Sequence, residues 1–281
     1  MLPDPVRRWV NHVTGATPVG SREIPGATSS SVSVLDFADG AQLVLRLHTN
    51  DAWLAEEPDL ATREAAALVA LAGTSVVASM LIAVDESGEF CGRPAVLMSR
   101  LPGDPDPGVA SADRLRLLAD ALPALHAQPI PDGMPAFAPY QEHAARSIPA
   151  WTSMPEVWRA AINVCAGPPP SGPTVFIHRD YHPGNVLFEG DRLTGVVDWV
   201  NACAGPPEID IAHCRINVAL AHGLDAADEF AAIATALYRD ADPRRQAYWD
   251  LVDCLDLTSP DDANPRIDDC LDAAMMRWQR G

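Results

Sequence analysis

Asp180, Asn185 and Asp198 carry side-chain oxygens at a spacing that few reactions call for. Asp180 and Asn185 are five residues apart in His178-Arg179-Asp180-Tyr181-His182-Pro183-Gly184-Asn185, and Asp198 closes the apolar run that leads to Trp199. One carboxylate to accept a hydroxyl proton, and two oxygens to hold magnesium, is the set that phosphoryl transfer needs. Between Asn185 and Asp198 lie a short apolar run, Val186-Leu187-Phe188, a polar segment, Glu189-Gly190-Asp191-Arg192, and a second apolar run, Leu193 to Val197. That order predicts a β-hairpin. A turn centred between Asp191 and Arg192 puts Asn185 opposite Asp198, with Cβ atoms roughly 5 Å apart. Asp180 then lies on the loop feeding the hairpin, placed to act as base.

Elements on either side must position these residues. Ser31–Phe37 and Ala41–His48 read as strands around the turn Asp39-Gly40. In the second strand Leu43, Leu45 and Leu47 share one face, and Val44, Arg46 and His48 the other. A helix is expected from about Pro58 to Leu71, with Gly73 just past its end. Strand-like sequence follows at Val76–Val84 and Pro94–Met98. The Pro- and Gly-rich segment 101–108 reads as a linker. Helical sequence is expected at 111–126, 139–146 and 155–164, and again from Ile209 to the end. The expected organisation is an N-terminal lobe over 1–100, a hinge over 101–108 and a helical lobe over 109–281.

The chain has 281 residues, 48% of them hydrophobic, which suits one large domain or two lobes. No uninterrupted apolar run is long enough to span a bilayer, and the N-terminus lacks the apolar region of a signal peptide. The six cysteines form no CxxC pair and read as reduced thiols of a cytoplasmic protein. A net charge of −18 argues against a nucleic-acid partner, which needs a basic face. It would favour a cationic small substrate, and a nucleotide would need local cations of its own.

These residues resemble the aminoglycoside phosphotransferase and choline kinase superfamily, relatives of protein kinases. The likeness runs from about Ile24 to Ala212 and is densest over 177–212. It implies an α+β, bilobal protein-kinase-like fold: a small β-rich N-lobe, a larger helical C-lobe and a nucleotide cleft between. By the same resemblance Asp180 is the catalytic base, and Asn185 and Asp198 hold magnesium. His178 and Asp210 support the catalytic loop. Arg46 contacts nucleotide phosphates, Glu64 pairs with it, and backbone groups of Ser99 and Leu101 bind the purine. The Ser-rich segment Ile24–Ser31 stands at the phosphate-loop position without a GxGxxG pattern. The cation at 46 is Arg where protein kinases have Lys, Asp198-Trp199-Val200 replaces Asp-Phe-Gly, and no Ala-Pro-Glu follows, so a protein kinase is not expected.

The expected activity is ATP-dependent, magnesium-requiring transfer to a small-molecule hydroxyl, with GTP left open. An aminoglycoside-type or other amino-bearing antibiotic is the leading acceptor. Choline, amino alcohols, sugars and macrolides are alternatives, as is a nucleotide-binding pseudokinase without turnover. Glu208, Asp250, Asp253 and Asp256 are candidate acceptor ligands, with a solvated acidic face as the plainer reading. The acceptor's identity, the hydroxyl modified and the oligomeric state are left open.

Overall fold

The computed structural model describes residues 2–25, 30–108, 110–258 and 263–280. The chain divides into two compact units: Met1–Gly103 with Thr194–Ala202, and Asp104–Leu193 with Cys203–Gly281.

The first unit is built on an antiparallel sheet of β1 (Gly20–Glu23), β2 (Ser30–Asp36), β3 (Gln42–His48), β4 (Leu81–Asp85) and β5 (Ala95–Ser99), in the order β1-β2-β3-β5-β4. Helix α1 (Asp4–Thr14) ends at Gly15, whose φ of 73° makes the left-handed cap that glycine adopts without strain. Its Val6, Trp9 and Val10 recur at helical spacing and pack with Leu35, Phe37, Leu45, Ala95 and Leu97 of the sheet region. The alternation in β3 then sends Arg46 and His48 to the opposite face, where both are buried. After the short α2 (Asp51–Glu56), helix α3 (Leu60–Leu71) buries Leu60, Glu64, Leu68 and Leu71 along one stripe. Residues 194–202 belong to this unit: Val196 N–H donates to Val77 O at 2.8 Å, and the Thr194 hydroxyl to Pro102 O at 2.7 Å. Between them a Cβ on Gly195 would meet the end of the Leu101 side chain, which would have to shift.

The second unit is largely helical, with α4 (Ala112–His126), α5 (Pro155–Cys165), α6 (Glu208–His222), α7 (Leu224–Ala236), α8 (Pro243–Asp256) and α9 (Pro265–Arg280). Short strands frame the segment 178–185. β6 (Asp104–Pro105) pairs with β8 (Val186–Glu189), and β7 (Val175–Ile177) pairs antiparallel with β10 (Cys203–Gly205), Ile177 opposite Cys203. The six cysteines are all buried, and none is in a disulfide among the described residues. Among the described residues no helix is long and apolar enough to cross a membrane.

Two expectations are corrected. Residues 139–146 form only the single 3-10 turn His143–Ala145, because the segment is captured by a distant side chain: Asp256 accepts from Tyr140 N–H at 3.1 Å and pairs with His143 at 3.0 Å. The loop between β8 and β9 (Arg192–Val196) is Gly190-Asp191, with Gly190 at φ 59°, one residue earlier than the register argument assumed. Asn185 and Asp198 both lie beyond the strand ends, in the 3-10 turn Pro183–Asn185 and at the cap of Trp199–Asn201, so the ladder does not extend to them.

Candidate functional site

The catalytic-loop sequence leaves β7 at Ile177 and turns sharply. Asp210, fully buried in the first turn of α6, holds that turn from behind. Its carboxylate accepts from His178 N–H at 2.9 Å and from Arg179 N–H at 2.7 Å. His126 Nε2–H donates to the same carboxylate at 3.0 Å, its Nδ1 accepting from the Tyr238 hydroxyl. Burial works to raise the Asp210 pKa, but its hydrogen bonds from His126 and from the His178 amide hold it below the usual range. Arg179 has φ 69°, a left-handed conformation uncommon outside glycine. The Asp210 clamp, together with Arg179's own donation to Ala138 O at 2.7 Å, offsets that strain. His178, fully buried, accepts Asp180 N–H on Nδ1 at 3.3 Å.

Asp180 is held at both carboxylate oxygens. Asn185 Nδ2 donates to Oδ2 at 3.0 Å and to the Asp180 carbonyl at 2.9 Å, which leaves Asn185 Oδ1, the atom able to ligate a hard cation, outside this contact. The other oxygen, Oδ1, meets His213 Nε2 at 3.0 Å. His213 Nδ1 in turn meets Asp253 Oδ1 at 2.9 Å. Burial would raise the Asp180 pKa, but His213, by hydrogen bond and charge, holds it well below the ordinary carboxylate range. Burial would lower the His213 pKa, yet Asp253 and Asp180 keep it well above that of free imidazole. His213 was not among the sequence candidates. One signal could have found it: it follows Asp210 by three residues on one helix and so shares its face.

In the first unit Arg46 is the hub of a second buried cluster. Its Nε lies 3.1 Å from Glu64 Oε2, its NH2 lies 2.9 Å from Asp198 Oδ1, and its NH1 donates to the Ser30 hydroxyl at 2.9 Å. Burial works against the Arg46 charge, but Glu64 and Asp198 raise its pKa. Burial pushes the Glu64 carboxyl up to about 7 despite Arg46. Asp198 shares with Arg179 a φ of 69°, and these are the non-glycine residues with positive φ among those described. Ser99 lies at the end of β5, where its N–H donates to Met80 O at 2.9 Å and its hydroxyl accepts from Met80 N–H. Of the phosphate-loop segment, residues 26–29 lie outside the described residues.

The candidate acceptor acids face inward, toward partners of the same unit. Asp250 pairs with Arg215 at 2.8 Å and Arg277 at 3.0 Å and is 1% exposed. Asp256 is bound to His143 and Tyr140, and Asp253 to His213. Glu208 pairs with Arg245 at 2.8 Å, and with it lines a cavity of about 680 Å³ beside Ile211 and Arg215. At roughly 100° per residue that face of α6 lies about 160° round the helix from His213.

A model of the phosphotransferase enzyme family (APH) matches residues 21–249, and the chain belongs to that family. The homoserine kinase of Methylobacterium sp. (strain 4-46) is 32% identical over 145 residues, and that of Methylobacterium nodulans 34% over 142. Each match covers 45% of this chain and 42% of the relative, so less than half of those proteins' length is matched. Among solved structures, macrolide 2'-phosphotransferase MphH from Brachybacterium faecium superimposes with a TM-score of 0.61 at 21% identity, covering 90% of this chain and 89% of that one. A thermostable mutant of aminoglycoside phosphotransferase APH(4)-Ia, solved with ADP and hygromycin B, gives 0.64 at 16% identity, covering 98% and 94%. At these identities the likeness is one of fold, and that α+β fold is protein-kinase-like.

Proposed function

We propose that this chain transfers the γ-phosphate of ATP to a hydroxyl group of a small molecule. The observation that carries the reading is Asp180: a half-buried carboxylate immobilised by Asn185 and His213, on a loop clamped by Asp210. Held below its ordinary pKa range, Asp180 is a weak base and a strong hydrogen-bond acceptor. Its work is to orient the attacking hydroxyl and take its proton late, which suits a loose phosphoryl transition state. Asn185 Oδ1 and the half-buried Asp198 carboxylate are hard oxygen donors of the kind magnesium takes, and we assign them to it. Bound there, the ion would neutralise charge on the nucleotide phosphates. Arg46 would meet the same phosphates with its planar fork. Backbone groups at Ser99 and Leu101 are assigned to the purine, and since the Ser99 N–H is already used, its carbonyl and Leu101 carry that role. We propose an organisation into an N-terminal lobe, a hinge and a C-terminal lobe, with 194–202 joined to the first of these.

For the acceptor, a compact amino alcohol is the preferred class. Glu208, Asp250, Asp253 and Asp256 each have an internal partner, which leaves few acids to receive the several ammonium groups of an aminoglycoside. The homoserine kinase relatives fit that preference. An amino-bearing antibiotic is the second reading, favoured by the fold likeness to an enzyme solved with ADP and hygromycin B. ADP release with magnesium-ATP should be measured against L-homoserine, choline, simple sugars, aminoglycosides and macrolides. Turnover with a small amino alcohol is the expected result. Nucleotide binding without ADP release from any acceptor would leave a nucleotide-binding protein and defeat the reading.

A further inference from the structure

We infer that His213, gripped between Asp180 and Asp253, is a positioning residue of the transfer reaction, and that Asp253 acts through His213 and not on the acceptor. The inference rests on Asp180 being the group that receives the acceptor hydroxyl.

A carboxylate on a loop can rotate about its last torsion, and a rotated Asp180 would present its lone pairs in the wrong direction. Asn185 alone, bonded to Oδ2, leaves Oδ1 free to swing. His213 removes that freedom by meeting Oδ1 at 3.0 Å. The imidazole is itself fixed at its far side, where Nδ1 meets Asp253 Oδ1 at 2.9 Å. Ionised carboxylates only accept hydrogen bonds, so a ring between two of them donates from both nitrogens and is the imidazolium. The pair is sealed from water, with His213 and Asp253 each 6% exposed. A buried cation so placed offsets the desolvation cost of the Asp180 charge and of the Asp253 charge together.

The surroundings agree. His182 Nε2 lies 3.9 Å from Asp180 Oδ1, and the His182 and His213 rings are 5.7 Å apart, so a second base borders the same oxygen. On the other side burial works to raise the Asp253 pKa, opposed by the charge and hydrogen bond of His213, and the negative charges of Asp256 and Asp250 add to the rise. Asp250 and Asp256 are taken by Arg215 and His143, so His213 is the cation bonded to Asp253. The second oxygen of Asp253, Oδ2, is buried. During transfer the acceptor oxygen bonds phosphorus as the bond from phosphorus to the β,γ-bridging oxygen breaks. The hydroxyl proton passes to Asp180 and ADP departs. His213 keeps both of its protons throughout.

The test separates positioning from acceptor binding and from mere packing. Steady-state kinetics with magnesium-ATP, using L-homoserine or whichever acceptor of the panel is turned over, are compared for wild type, His213→Phe, His213→Gln and Asp253→Asn. His213→Phe should lower kcat roughly tenfold to a hundredfold, the usual effect of removing an orienting partner. His213→Gln, which keeps one donor toward Asp180 and guards against a variant that does not fold, should recover part of that loss. Asp253→Asn should lower kcat with acceptor KM unchanged. A rise in acceptor KM at constant kcat in Asp253→Asn, or kcat within twofold of wild type in both His213 variants, would overturn the inference. Nitrogen-15 NMR of histidine-labelled protein at neutral pH needs no acceptor. It should show one imidazole, absent in His213→Gln, with both ring nitrogens protonated, and a neutral ring at that position would equally overturn it. If wild type turns over no acceptor, the kinase reading fails, and the positioning role with it, while the NMR result still decides the charge of His213.

Discussion

Each unit carries a buried cation between two carboxylates, and the two clusters differ in which partner can change charge. In the first, Arg46 lies between Glu64 and Asp198. Its charge is permanent, so adjustment falls on the acids, and burial pushes Glu64 up to about 7. In the second, His213 lies between Asp180 and Asp253, and its charge exists only because the two carboxylates favour it. The planar fork of Arg46 spreads over three partners from three places in the chain, Ser30, Glu64 and Asp198. Imidazole has two donors and joins two partners on a line. An arginine hub thus suits a site that must present charge to an incoming phosphate. A histidine hub suits one that must hold a single carboxylate still.

Substitutions can break each cluster in turn. Asp180→Asn should have the largest effect, a loss of roughly 10²–10⁴ in kcat, with magnesium-ATP affinity by calorimetry unchanged. A kcat within tenfold of wild type would remove Asp180 from the chemistry. Arg46→Met should come next. It leaves Glu64, which is 1% exposed, without its cation, and should cost about 3–5 kcal/mol in denaturant unfolding together with loss of ATP affinity. If stability holds while ATP affinity falls, the cluster is a ligand site and not part of the structure.

Acid should act on the first unit through His48. His48 is 1% exposed, and burial, with the charges of Arg46 and Arg63, pushes it down to about 4. The unfolded chain binds this proton more tightly than the native state. The contribution is therefore complete above pH 6.5 and is lost as pH falls toward 4, by up to about 3 kcal/mol. Unfolding followed across that window should show the slope in wild type and a flatter one in His48→Leu. A smaller effect is expected from His126→Phe, which removes one donor from Asp210 and should cost about 1–3 kcal/mol. Because Asp210 holds the turn under Asp180, a matching drop in kcat would tie His126 to the second cluster, and unchanged kcat would confine it to packing.

Much of this was legible in sequence because it is local. The strands β2 and β3 and the helix α3 follow from periodicity within a dozen residues, whereas α1 was not among the expected elements. The alternation of β3 alone placed Arg46 and His48 on the face away from Leu45. Asp180, Asn185 and Asp198 were visible because one short segment carries them all. The turn at 139–146 was not legible, since Asp256, more than a hundred residues away, overrides its helical propensity. The acidic residues of α8 misled in a similar way. Spacing put Asp250, Asp253 and Asp256 near one another, but their direction depends on Arg215, His213 and His143, which come from α6 and from the turn His143–Ala145.

The sequence by itself determined the oxygen donors, the loop that carries them, the β-rich and helical halves and the family, because these are properties of residue type and short-range order. Only the tertiary structure decided which charges meet. A carboxylate reads the same in a sequence whether it faces water, an arginine or a histidine. The distances from Asp180 to His213 and from His213 to Asp253 arise where α6 and α8 pack, and no local pattern encodes that packing.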